Sequence, residues 1–77
     1  MKFEVFAILK DYFQPEFDLQ TTAANIEAVK QELVKLQPAA LDVLSTCRFA
    51  VNDEFIDNEF QLKESDTICI IPPSSGG

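Results

Sequence analysis

Apolar and polar residues alternate at the start of the chain, switch to steps of three and four in the middle, and alternate again towards the end. Residues 2–9 read as a strand, with Phe3, Val5, Ala7 and Leu9 on one face. Lys2, Glu4, Phe6 and Ile8 form the other, and Phe6 and Ile8 are apolar where a solvated face would be polar. Lys10 to Phe13 suits a helical turn, which Gln14-Pro15 breaks. Glu16 to Gln20 gives a short second strand with Phe17 and Leu19 on one side. Ile26, Val29, Leu33 and Leu36 then recur at helical spacing. Asn25 is a good N-cap, Glu27 and Lys35 suit the two ends of the helix dipole, and Pro38 ends the helix near Leu36 or Gln37.

Residues 39–46 are ambiguous in period and read as a short second helical turn. Cys47 to Asn52 forms a third strand, with Phe49 and Val51 on one face and Arg48 and Ala50 on the other. Asn52-Asp53-Glu54 turns, because Asn and Asp tolerate left-handed backbone. Phe55-Ile56 resumes as a strand, Asp57-Asn58-Glu59 turns again, and Phe60 and Leu62 are expected to pack back toward the core. The last strand is Thr67 to Ile71, with Ile68 and Ile70 facing one way and Cys69 and Ile71 the other. The sum is an α+β domain: a mixed sheet of four or five strands with one main helix packed on one face. The first and last strands are the most apolar and belong in the middle of the sheet.

The end of the chain breaks this pattern. Both glycines of the 77 residues fall at positions 76 and 77. Pro72 and Pro73 stop any further sheet ladder, since proline has no N–H to pair. The expected division is a domain over residues 1–71 and an extended tail over 72–77, reaching about 20 Å. A tip of Gly76-Gly77 enters slots too narrow for a side chain, and a terminal glycine offers the least hindered carboxylate a chain can have.

Composition narrows the chemistry. With no histidine there is no Ser/His or Cys/His nucleophile pair, and the commonest zinc ligand is missing. Thirteen acidic residues against six basic ones give a net charge of −7, which opposes binding to nucleic acid or an anionic membrane. The acidic residues Asp53, Glu54, Asp57 and Glu59 lie in expected turns and read as solvated, not as a metal site. Cys47 and Cys69 read as small core or strand hydrophobes. No apolar run is long enough for a membrane span, and Met1-Lys2 leads straight into strand-like sequence without a signal peptide, so a cytoplasmic setting is expected.

Residues 50–77 carry a resemblance. Ala50-Val51-Asn52, a polar hairpin, Leu62 before a polar turn, Asp66, a β-branched strand, Pro72-Pro73 and Gly76-Gly77 closely resemble the small sulfur-carrier subunit of molybdopterin synthase. Phe6-Ala7, followed by Lys10-Asp11, resembles that family's opening. Asp11 stands where Glu is commoner, and Gln14-Pro15 where many relatives have glycine; both fall in loops. The terminal Gly-Gly alone also fits the thiamine-type sulfur carrier and ubiquitin-like modifiers conjugated through Gly77, whereas the two prolines favour the molybdopterin branch.

The resemblance implies a ubiquitin-like β-grasp fold and a role as a carried substrate without catalysis of its own. An E1-like adenylyltransferase, using Mg-ATP, would adenylate the Gly77 carboxylate. A sulfur donor protein would then convert it to a thiocarboxylate. Ser74, Ser75, Gly76, Pro72 and Pro73 would thread into the large synthase subunit, in a heterotetramer of two small and two large chains, where sulfur passes to a pyranopterin precursor. This chain itself would bind no cofactor and no metal. By strand phase, Phe6, Ala50, Cys69 and Ile71 share the sheet face that the helix leaves open, and they are the expected partner interface.

Overall fold

The computed structural model describes residues 1–73. Strand β1 (Lys2–Val5) leads through a 3-10 helix (Ala7–Asp11) to β2 (Glu16–Asp18). Helix α1 (Ile26–Leu36) follows, then a 3-10 turn (Pro38–Ala40) and helix α2 (Leu41–Thr46). Strands β3 (Arg48–Val51), β4 (Glu54–Ile56) and β5 (Thr67–Ile71) complete the sheet. Its order is β2-β1-β5-β3-β4, with β1 and β5 parallel and the other neighbours antiparallel. The expected α+β, five-stranded mixed sheet is therefore present in the β-grasp order. The two most apolar strands lie inside it, with β5 at the centre.

One face of the sheet is the core. Phe3, Val5, Phe49, Val51, Ile68 and Ile70 project into it and are covered by Ile26, Val29 and Leu33 of α1 and by Leu44 of α2. Phe3, Phe17 and Phe13 stack in sequence, with ring centroids 5.2 and 5.5 Å apart, and tie edge strand β2 to the interior. Asn25 caps α1 through its Oδ1, which accepts from the Ala28 N–H at 2.9 Å. The β3–β4 hairpin turns at Asn52 and Asp53, both left-handed at φ 53° and 64°, the geometry a two-residue hairpin turn requires.

Three expectations are corrected. The first strand stops at Val5, not Leu9, because Ala7 adopts φ 55° and turns the chain into the 3-10 helix. Leu9 still reaches the core from that helix, while Ala7, expected on the same face, is exposed at the turn. The helical turn expected at Lys10 thus begins three residues earlier. Leu36, the last residue of α1, ends the stripe exposed. Phe60 is also exposed, while Leu62, whose N–H donates to the Ala24 carbonyl at 2.8 Å, does pack against the core. Among the described residues no helix is long and apolar enough to cross a membrane.

Candidate functional site

The face of the sheet opposite α1 is built in rows by the strand register. One row runs Glu16, Glu4, Cys69, Ala50, Phe55 across all five strands, since each is the ladder partner of the next. A second row pairs Ile71 with Arg48. Phe6 stays extended (φ −131°, ψ 158°) one residue beyond the Val5–Ile70 pair, so alternation puts it on this face beside the Ile71 row. Phe6, Ala50, Cys69 and Ile71, expected together from sequence, do share one face.

Their exposures differ. Phe6 is 42% exposed, Ile71 and Cys69 are half-buried, and Ala50 is only 7% exposed. Ala50 therefore forms the floor between Cys69 and Phe55 rather than a raised contact. The Cys69 thiol donates to Glu4 Oε2 at 3.6 Å across the β1–β5 ladder. Burial pushes its pKa up, and the Glu4 hydrogen bond and the negative charges of Glu4 and Asp53 push it further in the same direction. Cys69 is thus held as a neutral thiol and serves the face as an apolar group. Cys47, also a free thiol, lies in the core and is raised by burial, with Lys30 opposing.

Phe55 on this face escaped the sequence reading, and Arg48, expected beside Ala50, was not counted in the interface. Phe55 is 55% exposed, and the Arg48 guanidinium carbon stands 4.0 Å from its ring centroid. The signal for Phe55 was present: a two-residue turn at Asn52-Asp53 fixes Phe55 opposite Ala50, and paired residues share a face.

The tail begins at the end of the central strand. β5 ends at Ile71; Pro72 is half-buried and Pro73 exposed. The expected threading residues Ser74, Ser75 and Gly76, and the carrier residue Gly77, lie outside the described residues.

Comparison with known proteins bears on the whole chain. A family model described as the ThiS family matches residues 3–77. A curated relative from Chlamydomonas reinhardtii, the molybdopterin synthase sulfur carrier subunit, is 38% identical over 56 residues, covering 70% of this chain and 68% of the relative. Among solved structures, a complex of subunits 1 and 2 of the molybdopterin-converting factor from Helicobacter pylori contains a similar chain. Its TM-score is 0.70 at 25% identity, over 99% of this chain and 96% of that one. Subunit 1 of a molybdopterin converting factor from Pyrococcus furiosus has the same fold, with a TM-score of 0.82 at 18% identity over 95% of each chain.

Proposed function

The chain belongs to the ThiS family, and from that premise we propose that it is the sulfur-carrier small subunit of a molybdopterin synthase. The carrying observation is a family match that runs through Pro72-Pro73 to Gly77, beside a relative that bears that name. Residues 1–71 are the folded body, and residues 72–77 are the arm that partners handle. An E1-like adenylyltransferase with Mg-ATP joins the Gly77 carboxylate to AMP and releases pyrophosphate. The outer sulfur of a donor protein's persulfide then attacks the acyl carbon and expels AMP, and a thiol of the donor cleaves the resulting acyl disulfide, leaving the thiocarboxylate on Gly77 and a disulfide on the donor. An acyl adenylate is open to attack by water, so its formation and its capture by sulfur belong inside a partner's channel. The large synthase subunit receives the arm, in an assembly of two small and two large chains, and passes the sulfur to the pyranopterin precursor. The outer sheet face around Phe6, Cys69 and Ile71 docks against that subunit, with Ala50 as its floor. The reducing cytoplasm suits both the chemistry and the two free cysteines.

The test is the intact mass of the chain after expression with an activating enzyme and a sulfur source. Exchange of one carboxyl oxygen for sulfur adds about 16 Da at the C-terminus, a covalent change of the kind that alters the physical argument. Lysine-linked adducts in its place would make the chain a protein modifier and overturn the proposal.

A further inference from the structure

Strand phase puts Lys2, Glu4, Glu16, Asp18 and Arg48 on the docking face, and of these Glu4 and Arg48 stand beside its apolar central pair, Cys69 and Ile71. Glu4 is the ladder partner of Cys69 on one side of β5, and Arg48 is the ladder partner of Ile71 on the other. β1 and β3 flank β5, so the two charged positions are two strand spacings apart, about 10 Å, and two residues offset along the strands, about 7 Å. Their diagonal is roughly 12 Å by the same spacings. Cys69, Ala50 and Ile71 lie between them.

Arg48 is held before any partner arrives. Its guanidinium stacks on Phe55, an arrangement that fixes the cation's position while using none of its five N–H donors. Among the described residues, Glu4 accepts only the long thiol bond from Cys69. A flat apolar partner would strip water from both charges and leave them unpaired, which opposes binding strongly. A partner that meets each with the opposite charge turns the same burial into specificity.

We infer that the large synthase subunit presents the inverse pair to this face, a carboxylate against Arg48 and a basic side chain against Glu4, across an apolar strip, and that Arg48 is the residue that selects it. The inference rests on the docking reading above. It assigns Arg48 a role in choosing the partner and none in the chemistry at Gly77.

The experiment is titration calorimetry of the full chain with the purified large subunit of the same organism, at several salt concentrations. Arg48→Gln should raise Kd about tenfold and flatten its salt dependence, and Arg48→Glu should raise it about a hundredfold, as for buried charge pairs at interfaces. Arg48→Lys, treated with a carbodiimide in the complex, should crosslink to an Asp or Glu of the large subunit, and Glu4 of the unaltered chain should crosslink to a lysine. Circular dichroism confirms that the variants are folded. Wild-type affinity and salt dependence for Arg48→Gln, or no acidic crosslink from Arg48→Lys, overturns the inference. If Ile71→Asp weakens binding in the same series while Arg48→Gln does not, the docking reading stands and the charge assignment falls. If the unaltered chain does not bind the large subunit, both fall.

Discussion

A single position on β5 shows how environment decides what a side chain can do. Cys69 sits on the face proposed for sulfur-handling partners, yet burial and the carboxylates of Glu4 and Asp53 raise its pKa, so it is a poor nucleophile there. That separates the carried sulfur from the protein's own. Glu4→Gln removes the nearby negative charge while leaving an oxygen that can accept from the thiol, so it should speed disulfide exchange with a small aromatic disulfide severalfold at pH 8. No change in rate would mean that Glu4 does not govern the thiol. Both cysteines hold their proton more tightly folded than unfolded. The stability this contributes is complete below the ordinary thiol pKa of about 8.5 and is lost as pH rises through the raised folded values. The urea midpoint should accordingly fall above about pH 8.5, and Cys47→Ala should remove part of that fall.

The elements show which parts of the fold were legible from sequence and which were not. Helix α1 was legible at both ends because its signals are local: Asn25 supplies an oxygen to Ala28, and Pro38 forbids continuation. Asn25→Ala should cost about 1 kcal/mol, read from the urea midpoint. Strand β5 was legible because five β-branched or small apolar residues are bounded by Asp66 and Pro72. The end of β1 was not, because Ala7 carries no residue-type signal for its left-handed backbone. Alanine there costs about 1–2 kcal/mol relative to an unstrained residue, set against about 0.5–1 kcal/mol for glycine's greater freedom when unfolded. Ala7→Gly should therefore stabilise the domain by about 0.5 kcal/mol, and Ala7→Val should destabilise it by more than 1 kcal/mol. Clear destabilisation by glycine would contradict the turn. Phe60 and Phe55 illustrate the other limit. Both are aromatic residues near turns; the register of the β3–β4 hairpin places Phe55 on the proposed docking face, whereas Phe60, beyond the end of β4, is exposed outside the sheet.

For the molecule as a whole, the central strand holds the core with one face, carries the proposed docking surface on the other, and leads directly into Pro72-Pro73. Neighbouring residues on it should therefore fail in different ways. Ile70 is fully buried against α1, and Ile71, one residue on, is half-buried on the opposite face. Truncating a core isoleucine to alanine costs about 2–5 kcal/mol through lost burial and the cavity left behind. A domain of 77 residues has only about 4–12 kcal/mol of total stability at 0.05–0.15 kcal/mol per residue. Ile70→Ala should thus lower the urea midpoint steeply and deplete folded carrier at 37 °C, with any folded fraction still binding the large subunit normally. Ile71→Asp should do the reverse, leaving the unfolding midpoint nearly unchanged while raising Kd for the large subunit at least tenfold, since a charge now sits in the apolar strip. Urea titration and calorimetry on the same two preparations separate the effects. Should Ile71→Asp unfold the domain as readily as Ile70→Ala, the outer face is part of the core, and the division of labour across β5 is wrong.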